Sequence, residues 1–302
     1  MKKLLLLIAT LTTLTAKSQT AEDYFNSGSE KGVAGDLHQA INDFNQAIKL
    51  NPKYAEAYYS RAVAERYLGD YQSSINDNSK AIELKADYSD AFLNRGFSKS
   101  LLLNHKGAIA DFNKTIQLNP EYAIAFYDRG LSKYAIGDTI GAALDFDKAI
   151  KLDNKYSEAY YNRGLIYFQM SDFKTSNEYF TTAIKYNPNN LNAYYNRGLA
   201  KVSLLDFSSA KNDFDIVLKK DAGFKKAYYF RGAANAILKN FESALSDINK
   251  SIKFEPEYAA AYFQRGIILI ALKDEKKGCA DLYHAKTLGY KKAISAIDDF
   301  CK

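Results

Sequence analysis

Tryptophan is absent, and cysteine, methionine, histidine and proline are scarce, at two, two, three and four of 302 residues. Each scarcity closes a class of function. Cys279 and Cys301 form no Cys-x-x-Cys and have no adjacent histidine, so they cannot build a zinc ribbon or a thioredoxin-type centre. His38, His105 and His284 lie far apart with no His-Glu-x-x-His spacing, which removes the metalloprotease helix. There is no glycine-rich phosphate loop and no Gly-x-Ser-x-Gly turn. The chain therefore carries no motif for catalysis, and neither cofactor nor metal is expected. It also lacks a Pro/Gly/Ser-rich linker, so one continuous domain is expected although 302 residues would ordinarily suggest two. What is plentiful is aromatic: 24 Tyr and 18 Phe do the large-volume packing that Trp does elsewhere.

The one long apolar run, Leu4–Leu14, is too short for a stable membrane span. Met1-Lys2-Lys3 precedes it, and Ala16-Lys17-Ser18 puts small residues at −3 and −1 of a cut before Gln19. Residues 1–18 read as a signal peptide, and the mature protein as exported, periplasmic or secreted. A retained membrane-anchoring helix is the alternative. Removing 1–18 takes away Lys2, Lys3 and Lys17 and no acid, so the formal charge falls from +6 to +3. That near balance gives no concentrated basic face, and nucleic acid is not an expected partner.

Arg61, Arg95, Arg129, Arg163, Arg197, Arg231 and Arg265 share one 34-residue register, and Gly follows six of them. With Ser157 as position 1 of its unit, eight units follow: 21–54, 55–88, 89–122, 123–156, 157–190, 191–224, 225–258 and 259–292. Each contains two amphipathic runs. Position 4 is aromatic in all eight units and position 8 is Gly or Ala. A mid-helix Gly costs about 1 kcal/mol against Ala, so its recurrence is sensible only where no Cβ fits. Asp or Asn at position 16 is the expected cap of each second helix, and Pro52, Pro120, Pro188 and Pro256 end alternate ones. A period of this length means stacked helix pairs, because one unit alone cannot bury its apolar face.

In the cleanest copy, Tyr160, Arg163-Gly164, Tyr167, Ser176, Phe180 and Pro188 fall at fixed offsets. This pattern resembles the tetratricopeptide repeat (TPR) family over residues 21–292. The resemblance implies an all-α, right-handed superhelical solenoid of eight helix-turn-helix repeats whose inner groove binds other proteins. It also implies that first helices line that groove through positions 2, 5, 6, 9, 12 and 13. The matching residues at the centre are Tyr127, Asp128, Leu131 and Tyr134, then Tyr161, Asn162, Leu165 and Phe168, then Tyr195, Asn196, Leu199 and Tyr229. Rings and amides in regular register suit an extended peptide. They could equally pack against neighbouring first helices. The family's carboxylate clamp needs Lys and Asn at positions 5 and 9, where this chain has Tyr and Leu, so the clamp is not expected.

The chain departs from the family at position 7, where Arg stands in seven of eight units, and Asp stands at position 23 in seven of eight. A ladder of Arg–Asp pairs is expected, with the register, own repeat or preceding repeat, left open. A basic ligand-binding stripe is the other reading. Tyr179 replaces the aspartate in the fifth unit, so Arg163 or Arg197 is expected to lack a partner and to be the arginine most available to a ligand.

The eighth unit degenerates, and 290–302 reads as a capping helix with Ala293, Ile294, Ile297 and Phe300 on its apolar face. In an exported chain Cys279 and Cys301 are expected to form a disulfide tying this cap down, with free thiols or a redox role as rivals. The expected function is a non-enzymatic scaffold of the cell envelope binding a protein or peptide. The alternative is a carbohydrate-binding protein that stacks sugars on the tyrosine row.

Overall fold

The computed structural model describes residues 19–301, so the expected export segment lies outside the described residues. Among them every regular element is a helix. The chain divides into two compact units after Ile136. The first unit holds α1 (Ala21–Ala34), α2 (Leu37–Leu50), α3 (Ala55–Tyr67), α4 (Tyr71–Leu84), α5 (Ser89–Leu101), α6 (His105–Leu118) and α7 (Ala123–Ala135). The second holds α8 (Thr139–Leu152), α9 (Ser157–Gln169), α10 (Phe173–Tyr186), α11 (Leu191–Ser203), α12 (Phe207–Lys220), α13 (Lys225–Ile237) and α14 (Phe241–Phe254). It continues through α15 (Ala259–Ala271), α16 (Glu275–Thr287) and α17 (Lys292–Phe300). Within each unit odd and even helices pair, and each even helix packs on the next odd one.

Position 16 caps most second helices. Asp70, Asn104, Asp138, Asp172, Asp206 and Asp274 each accept a hydrogen bond from the backbone N–H three residues on. Asp36 and Asn240 do not, contrary to the sequence expectation. Asn240 turns its amide to the Asn235 Oδ1 instead, at 3.4 Å. The residue before the cap is left-handed throughout, as Gly35, Gly69 and Gly137 suggest. Where Gly is missing the conformation persists: Leu103, Ser171, Leu205, Lys239 and Lys273 all have φ of 61–63°. Leu103 is 78% exposed and so contributes little packing in exchange for this strain. Leu103→Gly is expected to stabilise the protein by about 0.5 kcal/mol, read as a higher midpoint in urea.

Within each unit, the core of a repeat is a bulky residue at position 24 facing the small residue at position 8. Phe112, Phe180 and Phe214 are fully buried. A Cβ on Gly96 would lie 2.6 Å from the Phe112 ring, and one on Gly164 would lie 2.8 Å from that of Phe180. The second repeat is the exception that shows the coupling. There Asn78 replaces the ring and Ala62 replaces the glycine. Asn78 is fully buried; its amide donates to the Ser74 carbonyl at 2.8 Å, and its Oδ1 has no partner.

At the end of the array Gly289, at φ 87°, stops the chain after α16. The capping helix α17 buries Ala293, Ala296 and Ile297 against Leu282 and its neighbours. Ile294 and Phe300 are half exposed, at 48% and 49%, and are not part of the buried face as the sequence suggested. Cys279 and Cys301 are joined by a disulfide.

Candidate binding groove and arginine ladder

Position 7 is structural. Arg61, Arg95, Arg197, Arg231 and Arg265 each hold the aspartate of their own repeat through Nε and Nη2, a two-pronged match of guanidinium to carboxylate. For Arg231 the two distances to Asp247 are 2.8 and 2.7 Å. The third nitrogen, Nη1, reaches back to position 25 of the preceding repeat. It meets Asn45, Ser79, Thr181, Asp215 and Asn249 in turn, and Arg129 reaches Asn113 in the same way. The open question of register has a double answer: the charge is paired within the repeat, and the guanidinium also bridges to the one before.

Neither Arg163 nor Arg197 is the unpartnered cation that Tyr179 led us to expect. Arg197 binds Asp213 at 2.9 and 2.6 Å. Arg163 turns to Asp147, at 2.8 and 3.2 Å, and donates to the Tyr167 hydroxyl at 3.2 Å. Its guanidinium lies 4.5 Å from the Tyr167 ring centre, and that ring stacks on Tyr179. The carboxylate has moved from position 23 to position 25 of the preceding repeat, where Asn, Ser or Thr usually stands. Asp147 was the signal in the sequence. Both arginine side chains are about 15% exposed or less, which leaves little for a ligand.

The groove residues of the second unit lie on three successive first helices, α9, α11 and α13. Tyr161, Asn162, Leu165, Phe168, Tyr195, Asn196, Leu199 and Tyr229 are all half-buried. Asn196 Nδ2 donates to the Tyr161 hydroxyl at 3.0 Å, joining one repeat to the next. Tyr195 lies 5.1 Å from Phe224, and Tyr229 lies 4.9 Å from Tyr258. Phe168 meets Phe173 edge-on, and Leu199 packs against the Phe214 cluster. The rings thus brace neighbouring helices and show only part of their surface. Burial pushes the Tyr195 phenol up to about 12 and raises those of Tyr161 and Tyr229 as well, so all three are neutral hydrogen-bonding groups at ordinary pH.

Tyr127, Asp128, Leu131 and Tyr134 belong to the first unit, on α7. Tyr134 is 41% exposed and is the most open ring of the twelve candidate residues. Beside Asp128 the structure assembles a polar cluster that the sequence reading missed. Arg66 Nε donates to Asn94 Oδ1 at 2.6 Å, and its guanidinium lies over Tyr67 at 4.5 Å and Phe97 at 5.4 Å. Arg66 is the one charged residue at groove position 12 in the chain, which was its only mark. Asn94 Nδ2 and Asp128 Oδ2 are buried and have no hydrogen-bond partner. An orphan donor and an orphan acceptor, from α5 and α7, are left for something else to satisfy.

Tetratricopeptide repeat profiles match residues 34–65 and 130–171, 55–88, 157–190 and 195–259. The chain belongs to the tetratricopeptide repeat family. No curated protein is matched. Among solved structures, this TPR chain is similar to a tetratricopeptide repeat protein from Parabacteroides merdae, at 19% identity over 82% of this chain and 98% of that one, TM-score 0.58. It is similar to Pseudomonas aeruginosa pilF at 16% identity over 67% and 92%, TM-score 0.61. It is also similar to YrrB, described as a TPR protein with an unusual peptide-binding site, at 24% identity over 61% and 95%, TM-score 0.55. These likenesses show the fold.

Two carboxyls of the first unit stand apart electrostatically. Burial, then repulsion from Asp77, pushes Glu65 up to about 7; burial likewise pushes Asp128 up to about 7 against the pull of Arg66. Elsewhere the same repeat position carries Lys31, Lys99 and Lys201, each bound to the position-23 aspartate. A carboxyl whose native value is raised binds its proton more tightly when folded. Its contribution to stability is full below the unfolded value of 4.5 and is lost as pH rises through about 7. The TPR array is therefore expected to melt at a lower temperature at pH 8 than at pH 5. Glu65→Gln should remove on the order of 1–2 kcal/mol of that difference, allowing for solvent screening.

Among the described residues no group of three or more His, Cys, Asp or Glu could hold a metal ion, and no helix is long and apolar enough to cross a membrane.

Proposed function

We propose that this chain is a non-enzymatic, exported scaffold of the cell envelope that binds an extended peptide segment of a protein partner along its first helices. The observation that carries the reading is the pair of buried, unsatisfied groups in the groove of the first unit, Asn94 Nδ2 and Asp128 Oδ2. A peptide backbone offers a carbonyl and an N–H at once, and so satisfies both. Tyr134, on the same helix as Asp128, is 41% exposed and offers that surface to a side chain of the peptide. TPR proteins generally act as scaffolds, and YrrB is described as binding peptide at an unusual site. Export is supported by the Lys2-Lys3 and Leu4–Leu14 pattern and, from the other end of the chain, by the Cys279–Cys301 disulfide, which persists in oxidising compartments. The carbohydrate reading needs open ring faces, and Tyr161, Tyr195 and Tyr229 are half-buried, each with another ring against it.

A displayed peptide library selected on the full mature chain tests the binding. Enriched peptides should lose about tenfold in affinity to Asn94→Ala/Tyr134→Ala with the melting temperature kept within a few degrees. Peptides indifferent to that variant would place binding off the groove. N-terminal sequencing of the exported protein tests the location: the expected first residue is Gln19, and a chain still beginning at Met1 contradicts it.

A further inference from the structure

The first unit carries a second register that none of the ladder or core residues uses. Position 2 is acidic in three successive first helices, as Glu22, Glu56 and Asp90, and position 34 is tyrosine beside each, as Tyr54, Tyr88 and Tyr122. The two sets interleave in space. After burial, the carboxylates of Glu22 and Glu56 are what raise the Tyr54 phenol, and Glu56 and Asp90 contribute likewise at Tyr88. The Tyr122 hydroxyl lies 3.5 Å from Asp90 Oδ1. The result is a rim of alternating carboxylates and rings along one edge of the groove.

The protein itself shows what such a niche takes. Lys85 Nζ lies 3.4 Å from Glu56 Oε1 and 4.6 Å from the centre of the Tyr88 ring. An ammonium held between a carboxylate and an aromatic face is satisfied twice over. Lys85 is at position 31. The same position holds Asn51 beside Glu22 and Tyr54, and Asn119 beside Asp90 and Tyr122. Neither asparagine can replace the lysine, since each is tied to its own turn, accepting from the N–H of Lys53 and of Glu121. Of the three niches in this row, one is therefore filled from within. The other two, Glu22/Tyr54 and Asp90/Tyr122, have no cation among the described residues in them.

The third niche adjoins the orphan pair. Asn94 follows Asp90 by one helical turn on the same face of α5. It is only 4% exposed, and its Nδ2 donor is unused. The second unit does not repeat the rim: its positions 2 and 34 pair Glu158 with Asn190, Asn192 with Phe224, and Lys226 with Tyr258.

We infer that the first unit is a reader of basic peptides, its two open acid–tyrosine niches each taking a Lys or Arg side chain while Asn94 and Asp128 bond the backbone between or beside them. This rests on the groove reading above and narrows it to a partner segment of positive charge. Neighbouring packed helices lie about 8–10 Å apart, so niches two repeats apart are separated by about 16–20 Å. An extended chain advances about 3.3 Å per residue, which sets the two basic residues about five or six apart.

The test is fluorescence anisotropy on the full mature chain with three ten-residue peptides of one uncharged sequence. Two of its positions, five apart, are Lys in the first peptide, Gln in the second and Glu in the third. The lysine peptide is expected to bind about tenfold more tightly than the glutamine peptide at low salt, with the advantage shrinking several-fold at high salt. Glu22→Gln/Asp90→Asn should abolish that advantage. Lys85→Ala, which empties the middle niche, should tighten the lysine peptide about threefold, a gain that damage to the fold cannot produce. Equal binding of all three peptides, lost in Asn94→Ala, would overturn the basic preference and leave the groove reading standing. No binding by any of the three would overturn both.

Discussion

Arg231→Ala is expected to destabilise the protein by about 3–5 kcal/mol, more than any other single truncation on the ladder. The reason lies in what is left behind. Asp247 is 3% exposed and takes both of its charge-assisted bonds from Arg231. Position 11 of that repeat is Asn235, not lysine, so no second cation is bonded to Asp247 as Lys201 is to Asp213. The same substitution also removes one of two cations from Asp215, which Arg231 holds at 2.9 Å and Lys211 at 2.7 Å. Arg197→Ala makes the comparison that isolates the cause. Asp213 is equally buried, but Lys201 Nζ remains 2.8 Å from it after the arginine is gone. Its cost should be about half, and Lys201→Met in that background should restore the difference. Urea unfolding of the variants measures this. Equal costs for Arg231→Ala and Arg197→Ala would mean that the arginines act through packing rather than by neutralising a buried carboxylate.

The second large effect is a coupling. Asn78→Phe alone should destabilise by about 1–3 kcal/mol, because the ring that fits over glycine in other repeats would meet the Cβ of Ala62. Ala62→Gly alone should cost about 1 kcal/mol in helix propensity. Together they should exceed the wild type by about 1 kcal/mol. The ring is then buried as Phe112 and Phe180 are, and the orphan Asn78 Oδ1 is gone. The interaction energy between the two sites is then at least about 3 kcal/mol. Additive single effects would show that the glycine and the ring are independent, and that the close approach at Gly96 and Gly164 is not what keeps position 8 small.

These two cases also mark how far the sequence alone reaches. Helix pairs, their lengths and most of their caps follow from periodicity and from side chains at fixed offsets, which are local properties. The Arg–Asp pairing was visible as a register, but which repeat supplies the acid depends on how two helices cross. The third arm of the guanidinium, to position 25, meets neutral side chains in every case but Asp215, and so leaves no regular charge pattern to read. Tyr179 looked like a broken rung because the compensating Asp147 sits in another repeat and at another position.

Of the two readings of the position-5 tyrosines, ligand contact and helix packing, the ring contacts of Tyr195 and Tyr229 show packing and leave ligand contact open. Their neighbours, Phe224 and Tyr258 among them, come from positions that sequence reading assigns to turns. Conversely, the polar cluster of Arg66, Asn94 and Asp128 draws on three repeats and two positions, so no single column of the repeat reveals it. The acid–tyrosine rim was present in the columns, but only the placement of Lys85 showed what it holds.

The most direct measurement of the central claim is site-specific photo-crosslinking in the cells that make the protein. A photoreactive amino acid would replace Tyr134, the proposed groove residue on α7, or Ile140, which is 79% exposed on a second helix. The account predicts a discrete crosslinked partner at Tyr134, mapped by mass spectrometry to an extended segment bearing Lys or Arg, and none at Ile140. Crosslinks from Ile140 with Tyr134 silent would contradict it.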